Sequence, residues 1–171
     1  MAEKFELFWG GPFSQWAKAK MYDIHTGMTF NCCEQYMMYR KAELFDDTEA
    51  MEDVMKTHDP RTQKMIGRKV KGFDKEVWEK SCRQIVEYAN YMKFTQNRDM
   101  FKALMDVDHD AVFVEASPFD AIWGIGLSED DPACLDREEW EGTNWLGQAI
   151  TDVRDDLLEQ LHYWYTGTES K

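Results

Sequence analysis

The sequence lacks several features that define whole classes of protein. No apolar run approaches the roughly 18 residues that a membrane-spanning helix needs. Glycine and proline are scarce, at 10 and 4 residues, which excludes collagen-like and low-complexity chains. Residues 1–20 contain neither a basic segment nor a long apolar segment, so we expect no secretory signal and no association with a membrane.

Metal-binding and disulfide patterns are also absent from the sequence. The cysteines are an adjacent pair, Cys32 and Cys33, and two single residues, Cys82 and Cys134, so they form no C-x-x-C pairs. The four histidines lack the spacing of metal ligands as well. We therefore expect no metal and no cofactor, and reduced thiols in a cytoplasmic protein.

Positive charge is scarce, with 20 Lys and Arg against 33 Asp and Glu and a net charge of −13. Such a chain repels polyanions at long range, which disfavours salt-driven binding to duplex DNA. Residues 61–75 invert this balance, since Asp74 is the only acid in a segment that carries Arg61, Lys64, Arg68, Lys69, Lys71 and Lys75. This segment is predicted either to hold a phosphate near a helix start or to form a solvated charged face.

Apolar residues, at 43% of 171 residues, are sufficient for a packed core. The expected fold class is α+β and predominantly helical, with a few short strands in a single compact domain over residues 1–165 and a flexible tail at 166–171. Helices are predicted at 32–45, 48–56, 60–67, 75–95, 98–105 and 145–165, and strands at 5–9, 28–30 and 111–114.

Capping signals predict where these helices begin. Asn31 with Glu34 forms a capping-box pattern, and Asp59 before Pro60 is a strong start signal. Thr48, Asp74 and Asn144 are the other predicted caps.

Glu34 and Lys41 lie seven residues apart on one predicted helix, with Met37 and Met38 between them. Seven residues turn the helix by about 700°, so both side chains share a face. A carboxylate and an amine aimed at one cleft can perform acid–base or nucleophilic chemistry, and burial beside apolar groups would lower the pKa of the amine. The alternative is ordinary, with Glu34 closing the capping box and Lys41 solvated.

Three tryptophans lie beside glycines or in glycine-containing segments: Trp9, Trp123 and Trp145, with Gly124 directly after the second. Glycine lets a ligand approach the backbone, and tryptophan offers a face on which a base can stack. Core packing is the alternative for all three, and Trp78 and Trp164 are assigned to the core from their helical spacing. Asp120 follows the strand at 111–114, and is predicted either to act in catalysis or to stabilise a turn.

Longer motifs, taken in chain order, resemble one family. They are FW at 8–9, GPFSQW at 11–16, FNCCEQYMMYRKA at 30–42, DPR at 59–61, GR at 67–68, VEASP at 114–118, IWGIGL at 122–127 and NWLG at 144–147. Together they resemble the NADAR/YbiA-like N-glycosidase family over about residues 8 to 160, which implies a YbiA-like fold.

This resemblance implies hydrolysis of a ribosyl–nitrogen bond. Its first implied substrate is ADP-ribose attached to guanine, in short or single-stranded nucleic acid or in nucleotides. Its second is the ribosylamino-pyrimidine phosphates of early riboflavin synthesis, which are small ribosyl-phosphate metabolites. A catalytically inactive ADP-ribose-binding module is a third interpretation.

The family resemblance also implies roles for individual residues. Lys41 would attack the anomeric carbon and form a Schiff base, Glu34 would move protons, and Asp120 would orient ribose hydroxyls. A second route keeps Lys41 as an electrostatic partner while Glu34 activates water. The implied substrate-binding residues are Trp9, Asn31, Arg61, Arg68, Trp123, Gly124 and Trp145.

Overall fold

The computed structural model describes residues 3–167 and confirms the predicted class, with long helices and a few short strands. The elements are β1 (Lys4–Phe8), β2 (Met21–Asp23), β3 (Met28–Phe30), α1 (Cys33–Leu44), α2 (Thr48–Lys56), α3 (Pro60–Arg68), α4 (Lys75–Gln96), α5 (Arg98–Asp106), β4 (Ala111–Glu115) and α6 (Trp145–Thr166). Strand β2 was not predicted. Helix α6 continues past the domain boundary predicted at residue 165, and residues 168–171 of the predicted tail lie outside the described residues.

Backbone contacts divide the chain into two compact units. The helical unit comprises residues 10–101, and the terminal unit comprises, of the described residues, 3–9 and 102–167. The chain passes between them within α5. The described residues contain no helix that is both long enough and apolar enough to cross a membrane.

Helix α1 is the centre of the helical unit, where it packs against α2, α3 and α4. Most of its residues are buried, including the polar Glu34 and Gln35, because three helices cover it. Phe30, at the end of β3, places its ring 5.0 Å from Tyr36 and 5.4 Å from Tyr39. Strands β2 and β3 pair antiparallel, with Met21 opposite Phe30.

The start of α1 differs by one residue from the predicted capping box. Cys32 is the N-cap, and its sulfur accepts a hydrogen bond from the Gln35 amide at 3.4 Å. The Gln35 side-chain oxygen accepts from the Asn31 amide at 2.8 Å, so the predicted Asn31–Glu34 box is wrong. Asn31 is instead held by Gln63, which donates to its side-chain oxygen at 3.2 Å, and this tertiary bond removes it from the cap.

Two of the other predicted helix starts are confirmed. Asp59 caps α3 ahead of Pro60, and Asp74 caps α4. For α2, the cap is Asp47 rather than Thr48, because the Asp47 carboxylate accepts from the Ala50 amide and also from the Lys71 amide.

The terminal unit is built on a parallel pair, β1 and β4, in which Phe8 lies opposite Glu115. Helix α6 packs against β4. Its N-cap, Asn144, has a left-handed backbone with φ of 53° and does not cap through its side chain. That side chain instead accepts from the Glu115 amide at 3.0 Å and donates to the Phe113 carbonyl at 2.9 Å, which ties the helix start to the strand.

Candidate functional site

Glu34 and Lys41 lie in the first and last turns of α1. Their separation corresponds to about 10 Å along the axis, with only ~20° between their directions around the helix. Helical side chains lean toward the N-terminus, so the long Lys41 chain extends back toward Glu34. Glu34 is buried at 5% exposure, whereas Lys41 is half-buried. The predicted common face is therefore formed, with the buried side chains of Met37 and Met38 between the two groups.

The surroundings of the Lys41 amine favour its neutral form. The ammonium nitrogen lies 4.4 Å from the centre of the Phe73 ring and 5.5 Å from that of Trp78. Burial lowers the pKa of Lys41, the charge of Arg68 lowers it further, and the charge of Glu34 opposes both. The neutral amine is the nucleophilic form of a lysine, so a lowered pKa increases the fraction of Lys41 in that form. The solvated-lysine alternative does not describe this side chain.

We name Glu34, Lys41, Arg68, Phe73 and Trp78 the lysine cluster. Sequence reasoning missed Phe73 and assigned Trp78 to the core, although Trp78 is only half-buried. A signal was available: around the Asp74 cap, Phe73 and Trp78 occupy the N′ and N4 positions of a hydrophobic staple. That pattern brings two apolar side chains together where a helix begins.

The first turn of α1 is tied to the segment at Ser14 and Gln15. The Glu34 amide donates to the Gln15 carbonyl at 3.0 Å. From α4, the fully buried Lys93 amine donates to the Ser14 carbonyl at 3.1 Å, and the Asn90 side chain donates to that of Gln15 at 3.0 Å. Burial lowers the pKa of Lys93. These bonds fix the backbone position from which the Glu34 side chain projects.

The predicted phosphate-binding residues Arg61 and Arg68 lie near the two ends of α3, and both are exposed. Only Arg68 is near enough to Lys41 to affect its pKa. Asn31 lies before α1, where its side-chain nitrogen donates to the His58 carbonyl at 3.2 Å. Its observed bonds connect segments of the helical unit, so substrate binding by Asn31 stays a prediction.

In the terminal unit, the loop after β4 brings together four predicted residues, which we name the tryptophan cluster: Asp120, Trp123, Gly124 and Trp145. The Asp120 carboxylate accepts from the amides of Ile122 and Trp123 at 2.9 and 2.8 Å, which is the turn-stabilising role. The rings of Trp123 and Trp145 meet edge to face, 5.8 Å apart. Both tryptophans are half-buried, so neither is a simple core residue.

Gly124 has a structural reason to be glycine. A Cβ there would lie 2.8 Å from the Glu115 carbonyl oxygen and 2.9 Å from that of Asp120. The loop can therefore approach the end of β4 only without a side chain at this position. A role for Gly124 in approaching a ligand stays a prediction.

Other aromatic residues of the terminal unit are exposed. Trp9 is 55% exposed, and its ring lies 5.9 Å from that of Phe119, which sequence reasoning missed and which is 83% exposed. Trp164 is 83% exposed as well, so its assignment to the core is wrong. It lies in the last turns of α6, where the helical spacing of apolar residues continues but Tyr163 and Tyr165 are exposed as well.

The lysine cluster combines an amine whose pKa is lowered by burial, a buried carboxylate and a cation. The tryptophan cluster offers aromatic surface beside a turn. Among residues 3–167, no group of three or more His, Cys, Asp and Glu side chains is arranged to hold a metal ion. The four cysteine thiols are buried and unbridged.

Comparisons with known proteins identify relatives that share most of this chain. The NADAR domain family matches residues 7–158. Protein irg-1 of Caenorhabditis elegans is 38% identical over 138 residues, or 80% of this chain and 65% of irg-1. N-glycosidase R617 of Acanthamoeba polyphaga mimivirus is 35% identical over 147 residues, or 84% of this chain and 86% of R617.

Riboflavin biosynthesis protein VVA0006 of Vibrio vulnificus (strain YJ016) is more distant, at 24% identity over 145 residues. That match covers 85% of this chain but only 36% of the Vibrio protein. This chain likewise spans just under two thirds of the length of irg-1. Among solved structures, the NMR structure of the E. coli protein YbiA has a TM-score of 0.73, with 24% identity over 94% of this chain and 89% of YbiA. This likeness concerns the fold alone, and it confirms the predicted YbiA-like fold.

Proposed function

The chain belongs to the NADAR domain family, as its motifs predicted, and from this we propose that it is an N-glycosidase that removes ADP-ribose from guanine bases. The observation that carries the proposal is the lysine cluster, in which a partly desolvated amine and a buried carboxylate share one face of α1. The name of the mimiviral relative, an N-glycosidase, supports the reaction class.

Lys41 acts as the nucleophile. Breaking a ribosyl–nitrogen bond develops positive charge at the anomeric carbon, C1. The lone pair of the Lys41 nitrogen forms a bond to C1, and the C1–base bond breaks with its electron pair moving to the base nitrogen, which takes up a proton. After the Lys41 nitrogen loses a proton, its lone pair opens the sugar ring, the ring oxygen gains a proton, and a protonated Schiff base results. An arginine could not do this, because it does not lose its proton.

Glu34 moves the protons of this sequence. It takes the proton from the Lys41 nitrogen and delivers it to the ring oxygen, whereas the proton that the departing base takes up comes from water. Glu34 then assists water in adding to C1 of the Schiff base. The resulting carbinolamine transfers its hydroxyl proton to Glu34 and breaks its C1–nitrogen bond, which releases the sugar as an aldehyde and restores the amine. The hydrogen bonds from the Glu34 amide to Gln15 and from Lys93 to Ser14 support this role, because they hold the backbone of Glu34 in one place.

Substrate binding is proposed for the remaining predicted residues. In the helical unit, Arg68 and Arg61 bind phosphate oxygens of ADP-ribose, and Asn31 contributes a polar contact. In the terminal unit, Trp123, Trp145 and Trp9 supply stacking or packing surface, Gly124 allows close approach, and Asp120 orients ribose hydroxyls. The net charge of −13 favours short single strands or nucleotides over long duplexes as the carriers of the modified guanine.

Borohydride trapping tests the proposal directly. The protein is mixed with an oligonucleotide that carries ADP-ribosylated guanine, reduced with borohydride and digested for mass spectrometry. We expect release of ADP-ribose in turnover, and a reduced adduct on the peptide that contains Lys41. Lys41→Ala should lose both, whereas Lys80→Ala, at an exposed lysine on α4, should retain both.

Two results would contradict the proposed route. An active Lys41→Ala variant, together with no adduct in the wild type, would remove the covalent step and leave water activation by Glu34. Glu34→Gln should lower kcat by about 10²–10⁴-fold, which is the usual contribution of general acid–base catalysis. Full activity of that variant would remove Glu34 from either route.

A second candidate is hydrolysis of ribosylamino-pyrimidine phosphates. It is favoured by the name of the Vibrio relative, which matches 85% of this chain. Release of ribose 5-phosphate from those compounds, without release of ADP-ribose from modified guanine, would select it. Tight ADP-ribose binding without turnover of either substrate would identify a binding module instead.

A further inference from the structure

Phe73 and Trp78 form an aromatic pair around the nitrogen that the proposed function makes the nucleophile. Both rings lie within the range of a cation–π contact, at 4.4 and 5.5 Å from the Lys41 nitrogen. Neither residue belongs to the motifs that identify the family in this sequence. The pair therefore calls for a reason of its own.

The structure holds this pair in place from several sides. The Phe45 ring, at the end of α1, packs edge-on against Phe73 with ring centres 5.5 Å apart. The turn before Phe73 is held by Asp47, whose carboxylate accepts from the Lys71 amide at 2.8 Å. The Asp74 cap, through its bond to the Val77 amide at 3.0 Å, fixes the helix turn that carries Trp78. These contacts hold both rings in position, although Phe73 is 46% exposed.

Aromatic rings distinguish between the charged forms that this nitrogen can take. A lysine ammonium has three N–H groups and loses hydrogen bonds to water when rings surround it. The protonated Schiff base has one N–H group, so it loses fewer hydrogen bonds while its charge still interacts with the ring faces. Desolvation by the rings therefore costs the ammonium more than the Schiff-base cation. Relative to the neutral amine, which carries no charge, the ring faces stabilise the Schiff-base cation.

We propose that the Phe73–Trp78 pair stabilises the positive charge on the Lys41 nitrogen when it becomes a Schiff base, and so increases the rate of covalent capture. This inference rests on the proposed function for its substrate, but not for its physical test. The pair acts through the electron density of the ring faces, in addition to excluding water. That property can be changed without changing the shape of the rings.

Replacement of Phe73 by mono-, di- and trifluorinated phenylalanine provides the test. Fluorine withdraws electron density from the ring face while largely preserving size and packing. In single turnover with ADP-ribosylated guanine oligonucleotide, we expect the rate of borohydride-trapped adduct formation to fall stepwise. The total decrease should be about tenfold, or roughly 1.4 kcal/mol. The same series at Phe45, whose ring packs against Phe73, is the matched control and should leave the rate unchanged.

A second readout separates this inference from the proposed function. Salicylaldehyde forms a Schiff base with lysine without any ribosyl substrate, and the fraction trapped on Lys41 is measured by mass spectrometry. Fluorination at position 73 should lower that fraction as well. If no ribosyl substrate reacts, but the fraction of Lys41 trapped with salicylaldehyde falls as Phe73 is fluorinated, the proposed function fails and the role of the pair stands. The inference is overturned if fluorination at position 73 leaves the fraction trapped with salicylaldehyde unchanged, or if fluorination of Phe45 lowers that fraction equally.

Discussion

Alanine at Gly147 should destabilise the protein strongly, because the start of α6 touches β4 at this residue. A Cβ there would lie 2.1 Å from the carbonyl oxygen of Phe113. It would also lie 2.4 and 2.5 Å from the side-chain oxygen and nitrogen of Asn144. The first of these atoms is the backbone of a buried strand, so it cannot turn away as a flexible side chain would.

The expected magnitude follows from this overlap. Carbon and oxygen atoms normally approach to about 3.3 Å, so the helix start must move by about 1 Å. Overpacking of this kind costs about 1–3 kcal/mol. The movement also strains the two buried Asn144 hydrogen bonds, where an unsatisfied group costs about 1–3 kcal/mol. Alanine recovers about 1 kcal/mol because it favours helix over glycine. The net loss should be about 2–4 kcal/mol, or a decrease in Tm of about 5–15 °C.

Thermal and urea unfolding of Gly147→Ala would measure this loss. The matched control is Gly10→Ala, where a Cβ has no neighbour within 4 Å and φ is −123°, so its Tm should stay within about 2 °C of the wild type. A Gly147→Ala variant as stable as the control would refute the packing of α6 on β4 described here.

Three further predictions concern single residues. Arg68→Ala removes a cation that lowers the pKa of Lys41, so the acid limb of kcat/KM against pH should move to higher pH, and an unmoved limb would remove Arg68 from that role. Asn144→Ala loses two buried hydrogen bonds to β4 and keeps a positive φ, so urea unfolding should show a loss of about 2–4 kcal/mol; a loss below about 1 kcal/mol would contradict this. Burial lowers the pKa of Lys93, so the folded protein binds fewer protons there than the unfolded chain, and wild-type stability rises with pH toward the ordinary pKa of lysine. Between pH 7 and pH 10, the unfolding free energy of the wild type should therefore rise relative to that of Lys93→Met. A difference that does not change with pH would show that the pKa of Lys93 is the same in the folded and unfolded states.

Local signals in the sequence determined most helices and three of the four strands found in residues 3–167. Asp59 with Pro60, and Asp74 before a periodic apolar stripe, define helix starts through contacts within one turn, and the structure contains both. The common face of Glu34 and Lys41 follows from helix geometry alone, which is why the spacing predicted it. Strand β2 was missed because it is defined by its pairing with β3, a contact that its own three residues do not encode.

Contacts between distant segments decided the rest. Asn31 has the local pattern of a cap, but Gln63, 32 residues away, holds its side chain. Trp164 has the spacing of a core residue but remains exposed, because burial requires a neighbouring element that helical periodicity cannot supply.

The sequence by itself determined that a carboxylate and an amine would lie on one side of a helix, because that depends only on the turn per residue. Only the tertiary structure decided that the amine would be partly removed from water between Phe73 and Trp78, because desolvation depends on side chains brought from another helix and its preceding turn.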